Sequence, residues 1–437
     1  PQAILGERAG ALSMPPALVY DNARSRIFFK PDRSFGVPKA SVRMFFWLPV
    51  ETVDEDAVPS RLWLLALTDR LTESFYDAAV AGVGFDVSNT VEGVSMEFAG
   101  YSDKLMLLVE EVLRRIRSFD GPNDDEFGRA LDAVRREQRT FDKQQPYQYA
   151  AYVSRSAYLT PEYPIELLRQ QASRATVLQA RAFGSKFRDA LQEVYVQALA
   201  IGNLRMADVE RLQQLLNGMR FQALPKERIT RRRLAQLPAA THSMILKQGL
   251  NSDEINNAVI VTFFTDADID SVLKCQLLQA VLQDPFYGQL RTEQQLGYIV
   301  SSQADRFNDV GRLALFVQSS VLAPAGLVDA IDSFLLRFRL MLAGMTPAQL
   351  AAYKISLVEK IVKPDERLDE ERDRWWQEIS LFQYRWRRRD DEAQRVTGIT
   401  PAVLLDFFDR VVAEGAAERR RLTSAVFAGG VDGRAAL

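Results

Sequence analysis

Arg291 and Tyr298 are the residues of this chain whose types and spacing suggest chemistry. Both lie in one run, Asp284–Gln303, which reads DPFYGQLRTEQQLGYIVSSQ. An arginine offers a fixed fork of N–H donors, and a tyrosine offers a hydroxyl on a rigid ring. Projecting into one cleft, the two suit gripping the carbonyl oxygens of an extended peptide, or an oxyanion that develops on one. Spacing alone also allows a blander reading, a surface charge beside a half-buried strand aromatic. Metal chemistry has little to draw on. A hydrolytic zinc site needs about three protein ligands and a carboxylate to activate water, and the chain has one histidine, His242, at the start of a strand-like stretch. It reads as an ordinary strand-edge histidine. Glu110-Glu111 and Glu370-Glu371 read as parts of solvated helix faces. Cys275 is the one cysteine and sits in an apolar helical pattern with Val272, Leu273, Leu277 and Leu278, so it reads as core rather than as a nucleophile. No G-x-S-x-G elbow occurs. Alone, the chain reads as catalytically empty.

The elements that must position the pair are a helix and a strand. Leu278, Val281, Leu282 and Phe286 recur at helical spacing. Gly297 breaks that pattern, and β-branched Ile299 and Val300 favour an extended backbone. The segment therefore reads as a helix over 268–284 that ends near Pro285 and turns into a strand, with Arg291 just before the change and Tyr298 just after it. Around it, Asn256–Thr265 and Arg312–Gln318 read as strands, and Ala325–Ala343, Thr346–Val362, Leu368–Leu381 and Pro401–Ala413 as helices. The first half shows the same layout. A strand at Ser41–Val50 leads to a long helix from Asp54 to Ala81, a hairpin over Phe85–Phe98 turning at Glu92-Gly93, and then Leu105–Phe119 and Asp124–Gln144 as helices. Phe75-Tyr76 stands where Phe286-Tyr287 stands in the second copy, which argues for duplication of one α/β unit.

Composition sets the frame. A chain of 437 residues divides naturally into two domains of about 200 residues each. Lys+Arg 55 against Asp+Glu 57 gives a formal net charge of −2, so no basic field points to nucleic acid. No run of about eighteen apolar residues suggests a membrane span. A single cysteine excludes an internal disulfide and fits a reducing, cytoplasmic location. Pro1 implies a processed product or a piece of a longer polypeptide, and nothing near it has the order of a signal peptide.

The run Phe286-x-x-x-Leu290-Arg291-Thr292-x-x-Gln295-Leu296-Gly297-Tyr298-x-Val300 resembles the signature in the C-terminal half of the insulin-degrading enzyme and pitrilysin family. Those are zinc peptidases with an inverted H-x-x-E-H motif, which this chain lacks. Ile27–Lys30 with Val37–Ala40, Gly100–Lys104, Gln144–Gln148, Lys363-Pro364 and Trp375-Trp376-x-Glu378-Ile379 extend the resemblance along nearly the whole chain. It implies an α+β fold of two homologous α/β sandwich domains, each a mostly antiparallel sheet covered by helices. The expected limits are a lead-in or linker over 1–25, a first domain over 26–223, a linker over 224–238 and a second domain over 239–437. It further implies a chamber closed by a zinc-bearing N-terminal half, on the same polypeptide or a separate chain. Arg291 and Tyr298 would touch the substrate backbone and the oxyanion there, and Gln295 would lie at the seam between halves. No cofactor or metal is expected in this chain; zinc is expected in the partner half, and peptides are the expected substrates, with no nucleic acid or membrane partner. A scaffold or peptide-binding subunit of the same fold is the alternative. The family often has Glu where Gln294 stands, and some relatives have two lysines where Asp365-Glu366 follow Lys363-Pro364, which argues against polyphosphate or nucleotide activation. The basic runs at Arg228, Arg231, Arg232 and Arg233, and at Arg385, Arg387, Arg388 and Arg389, read as solvated charge rather than anion sites.

Overall fold

Strands that are apolar at consecutive positions, rather than only at alternate ones, need cover on both faces of their sheet. Two stretches have that character: Glu193–Gly202 (EVYVQALAIG) and Asn257–Ala267 (NAVIVTFFTDA). The structure, a computed structural model describing residues 14–48, 56–190, 193–219 and 222–430, places each in the middle of a sheet. The first sheet is built from β1 (Ala17–Asp21), β2 (Ser25–Pro31), β3 (Lys39–Trp47), β4 (Val83–Thr90), β5 (Gly93–Tyr101) and β6 (Glu193–Gly202), in the order β1-β2-β6-β3-β5-β4, with the two-residue strand Gln222–Ala223 paired parallel to the start of β6. The second is built from β7 (Thr241–Gln248), β8 (Asn257–Ala267), β9 (Ile299–Phe307), β10 (Val310–Ser319) and β11 (Arg420–Phe427), in the order β7-β11-β8-β10-β9. β2-β6-β3-β5-β4 and β7-β11-β8-β10-β9 are the same path. In each the first pair is parallel and the following pairs are antiparallel. The duplication read from the helix and strand pattern is thus present in topology and in strand direction.

One face of each sheet is covered by helices of its own half. On the first, Val42, Met44 and Phe46 of β3 and Val194, Val196 and Ala198 of β6 pack with Trp63 and Leu67 of α1 (Ala57–Ser74). A short α2 (Tyr76–Val80) follows, and Val109 and Val112 of α3 (Ser102–Ser118) join the same cluster. The chain continues through α4 (Asp124–Asp142), α5 (Pro146–Tyr158), α6 (Ile165–Arg174), α7 (Val177–Ala190) and α8 (Met206–Gly218). On the second sheet, Val259, Val261 and Phe263 pack with Leu278 and Phe286 of α9 (Ile269–Tyr287) and Phe334 of α10 (Pro324–Ala343). After these come α11 (Pro347–Ile361), α12 (Leu368–Ser380), α13 (Arg388–Thr397) and α14 (Pro401–Val411). No described helix is long and apolar enough to cross a membrane.

The opposite faces are covered by exchange. Phe45, Trp47, Tyr195, Leu199 and Ile201, the alternate residues of β3 and β6, pack against Trp375, Trp376 and Ile379 of α12, a helix of the second half. Ala258, Ile260, Ala314 and Val426 of the second sheet pack against Tyr149, Ala150 and Val153 of α5, a helix of the first half. Buried polar groups fix both contacts. Trp47 Nε1 donates to Gln197 Oε1 at 3.0 Å, and Gln197 Nε2 donates to the Ile379 carbonyl at 2.8 Å. The Tyr147 N–H donates to Gln318 Oε1 at 3.0 Å. Lys30 Nζ meets Glu371 Oε1 at 3.1 Å, both side chains buried, so Glu371 is no solvated carboxylate: its helix face is the one pressed on the first sheet.

Three further readings are corrected. Residues 17–21 of the expected lead-in form β1, paired antiparallel to β2 with an irregularity between Leu18 and Tyr20; residues 1–13 of that lead-in, Pro49 and the helix start at Asp54 lie outside the described residues. The first basic run is held rather than solvated: Arg228 pairs with Glu193 at 2.8 Å, Arg231 donates to the Leu381 carbonyl at 3.0 Å, Arg232 pairs with Glu162 at 2.9 Å, and Arg233-Leu234 pair with Leu159-Thr160. Only Arg233 of that basic run is exposed. In the second run Arg385 binds both oxygens of Asp309 at 2.7 Å, Arg388 is buried against Glu378, and Arg389 reaches Asp365 at 3.0 Å; Arg387 stays exposed.

Trp375→Ala is expected to destabilise the chain by about 3–5 kcal/mol. Amide exchange should accelerate in β3 and β6 of the other half. Acceleration confined to α12 would show that the exchanged helix is not the cover of the first sheet.

Candidate functional site

α9 begins with Asp268, whose side chain accepts from the Ser271 N–H at 2.7 Å, a helix N-cap. The helix does not stop at Asp284. It runs through Pro285, which lies inside its last turn, to Tyr287. It then widens into a π-helical turn over Gly288–Glu293, a form frequent at functional sites. Leu290 is fully buried and pins this turn to the core. The Leu296 N–H donates back to the Leu290 carbonyl at 3.0 Å. Gln295 takes the left-handed conformation, φ 53°, that reverses the chain. Gly297 is required by space rather than by its dihedrals: a Cβ there would lie 2.0 Å from the Gln318 carbonyl oxygen of β10. The chain can therefore enter β9 flush against β10 only with glycine at that point, and Tyr298 is delivered next to it.

The turn brings Arg291 and Tyr298 together. The Arg291 guanidinium carbon lies 4.4 Å from the centre of the Tyr298 ring and 5.3 Å from that of Tyr287. One guanidinium nitrogen, Nη1, donates to the Tyr298 backbone carbonyl. The cation is thus held against two rings and one carbonyl while keeping N–H groups for another partner. Tyr298 is 80% exposed, and among the described residues nothing hydrogen-bonds its hydroxyl. Gln295 sits on the loop between them, exposed, its side chain without a partner among the described residues; its contribution within this chain is the turn. Chemically the arrangement is an open platform of donors, preorganised by stacking and suited to carbonyl oxygens or a developing oxyanion.

A cleft of about 1430 Å³ opens in the second half, with only Ser34 and Phe35 of the first half at its wall. Neither Arg291 nor Tyr298 is among its lining residues. Gln276, Gln279 and Gln283 of α9, Ala304 and Arg306 of β9, and Arg388 of α13 are. Sequence reasoning missed the glutamine row, although the i, i+3, i+7 spacing marks it as one helix face.

The remaining reactive groups are placed away from chemistry. His242 lies on β7, its Nε2 3.0 Å from Thr423 Oγ1. Burial, with Arg421 and Arg419 nearby, holds its pKa below the usual value. Among the described residues no three His, Cys, Asp or Glu side chains converge as a metal site, and a lone histidine beside two guanidiniums does not fit zinc. Cys275 is buried on α9, and burial pushes its thiol up to about 12.

The described residues thus form two repeated mixed sheets, each sandwiched by helices, with an Arg–Tyr platform at a helix-to-strand junction of the second. Comparison with known proteins gives the family. Residues 7–171 match the middle or third domain of peptidase M16, and residues 277–376 match the C-terminal lobe domain 4 of proteins like the PQQ synthase PqqF. The chain is similar to human insulin-degrading enzyme, at 26% identity over 95% of this chain and 41% of that protein. Its fold is similar to the crystal structure of pitrilysin, with a TM-score of 0.84 at 20% identity over 97% of this chain and 44% of that one. It is also similar to a crystal structure described as a peptidase M16 inactive domain from Pseudomonas fluorescens, with a TM-score of 0.67 at 12% identity over 95% of this chain and 98% of that one. The chain belongs to the M16 peptidase family and is a homologue of its middle and C-terminal domains. It spans 41% of the length of the human relative it matches.

Two outcomes follow from the site geometry. Gly297→Ala should cost about 1–3 kcal/mol or more, because the added methyl meets a fixed carbonyl; an unchanged urea midpoint would contradict the close approach. Cys275 should not react with a thiol reagent in the native chain and should react fully in denaturant; fast native labelling would show that α9 opens.

Proposed function

We propose that this chain is the half of an M16 zinc endopeptidase that carries no metal. It closes over a zinc-bearing N-terminal half and presents Arg291 and Tyr298 to the peptide backbone near the bond to be cut. Zinc in the partner half would activate the attacking water. In this chain the guanidinium of Arg291 would hold a substrate carbonyl, and the Tyr298 hydroxyl would donate to the tetrahedral oxyanion. Gln295, exposed on the connecting loop, would lie at the seam. The observation that carries this reading is the stacked pair itself: an arginine fixed over an 80% exposed tyrosine with an unengaged hydroxyl. A structural role would favour burying both groups, whereas an outward donor pair is suited to a partner.

A second reading has one observation in its favour. The Pseudomonas fluorescens structure, covered over 98% of its length, is described as an inactive M16 domain, so a lobe of this architecture exists under that description. On that reading the chain would be a peptide-binding or scaffolding subunit.

Reconstitution separates the two. The chain alone should show no peptidase activity. Mixed with a zinc-bearing N-terminal half it should raise turnover, and a chelator should abolish that turnover while leaving the urea midpoint of this chain unchanged. Arg291→Ala and Tyr298→Phe should each lower turnover by about two to three orders of magnitude with the complex still assembled by size-exclusion chromatography. Full turnover in both variants would sink the proposed role of the pair.

A further inference from the structure

The second sheet ends on one side at β9, an edge strand that starts where the Arg–Tyr platform ends. Its exposed backbone groups can be identified from the register. β9 pairs antiparallel with β10 from Ile299 opposite Gln318 to Phe307 opposite Val310. In such a ladder both backbone groups of one residue point to the partner strand, and those of the next point away. The Gln318 carbonyl points toward β9, since it is the atom that a Cβ on Gly297 would strike. The Gly311 N–H points the other way, donating to Thr265 Oγ1 of β8 at 2.8 Å. Even-numbered residues of β10 therefore face β9, and their odd-numbered opposites on β9 are bonded to them. Val300, Ser302, Ala304 and Arg306 turn their N–H and C=O groups outward.

Among the described residues one group meets that row. Gln279 Nε2 donates to the Ser302 carbonyl at 3.2 Å and to Ser302 Oγ at 3.2 Å. A single side-chain amide on one carbonyl leaves the rest of the edge open to pairing. The open edge borders the cleft of about 1430 Å³, which Ala304 and Arg306 line together with Gln276, Gln279 and Gln283. At the Ala304–Arg306 end there is room for a chain beside the edge, and amide side chains stand next to it. Most arginines of the cleft are answered by carboxylates: Arg306 by Glu392, Arg388 by Glu378, Arg385 by Asp309 and Arg389 by Asp365, while Arg387 stays exposed. The walls thus make little demand for one sign of charge.

We infer that β9 is a strand-addition site: an extended peptide pairs its main chain with the outward groups of Val300, Ser302, Ala304 and Arg306, with one end at Arg291 and Tyr298. The occupant is an extended polypeptide because a row of alternating donors and acceptors at strand spacing is matched by another extended main chain. Recognition through backbone groups, beside a charge-balanced wall, makes the site tolerant of sequence. The inference rests on the reading of this lobe as a peptide-handling one. It adds where the peptide main chain runs, and Gln279 becomes the group it displaces or shares at Ser302.

The test uses the whole chain and a short, unstructured, proline-free peptide of mixed sequence. Amide exchange should slow at Val300, Ser302, Ala304 and Arg306 when peptide is added, with no change at Ser301, Gln303 and Asp305, whose amides already face β10. Ala304→Pro removes an outward N–H and no ladder bond, so the sheet tolerates it; its peptide affinity should fall about tenfold or more with an unchanged circular dichroism spectrum. If that variant misfolds, the wild-type chain with a peptide N-methylated at alternate amides supplies the same measurement, with the same expected loss. Equal affinity for the methylated peptide, no binding, or protection without the alternating pattern would overturn the inference. So would protection that appears without peptide and rises with protein concentration, since a second copy would then occupy the edge. Should the edge fail while Tyr298→Phe still slows a reconstituted complex, the strand-addition site falls and the proposed function stands. Alternating protection with a fully active Tyr298→Phe complex would mean the reverse.

Discussion

A sheet whose strands are apolar on both faces cannot be finished by helices on one side. In this chain the missing cover of each sheet comes from the other half: α12 lies on β3 and β6, and α5 lies on β8, β10 and β11. This exchange is the constraint on which the rest depends. The faces it joins carry large aromatics, with Trp47, Tyr195, Trp375 and Trp376 in one cluster. Burying such side chains contributes roughly 1.5–3 kcal/mol each. Separation would expose them together, so the halves behave as one unit rather than as hinged lobes. The polar groups of the interface reinforce this. Gln197 is fully buried and meets Trp47, Ile379 and the Tyr384 hydroxyl, and losing any partner would leave a buried amide unsatisfied.

That fixed frame holds the corner where Arg291 and Tyr298 meet. α9 packs on the second sheet through Leu278, Val281, Leu282 and Phe286, and Leu290 carries the anchoring into the π turn. From there the path is determined by contacts rather than by propensity: a left-handed Gln295, a glycine wedged on the Gln318 carbonyl, and then Tyr298 at the rim. Arg291 is positioned by Tyr298 itself, through its ring and its carbonyl, so the two residues form one preorganised unit. Preorganisation matters because donors already in place need no rearrangement when charge develops.

The parts legible in the sequence were those set by short-range pattern. The hairpin at Glu92-Gly93, the helix capped at Thr346 and the repeated order of helix and strand all follow from local periodicity and turn residues. The Arg291–Tyr298 junction was visible because Gly297 interrupts a helical repeat just before β-branched residues. What stayed hidden was decided by distant partners. Trp375 and Trp376 read as one helix face among others, and nothing near them in sequence says that β3 and β6 are what they cover. Arg388 looked like solvent-facing charge because its partners, Glu378 and Glu392, are found only once α12 and α13 are folded together. Residues 17–21 lack periodicity because β1 is an irregular edge strand: the adjacent Val19 and Tyr20 pack against the core, while Ala17, Leu18 and Asp21 are exposed.

The same pairing of distant charges bears on what the cleft can hold. Asp365 stands directly after Lys363-Pro364 and takes both Arg374, at 2.6 Å, and Arg389, at 3.0 Å. Lys363 itself pairs with Glu366 at 3.2 Å. Cations already answered by carboxylates at contact distance project little field beyond themselves, and a multiply charged anion would have to displace those carboxylates to bind. The lysine-to-carboxylate departure at 365–366 therefore does more than remove positive charge: it ties up the arginines that remain. Side-chain-independent contacts, to main-chain carbonyls and amides, are what such a wall leaves available, and the donors of the Arg–Tyr corner are of that kind.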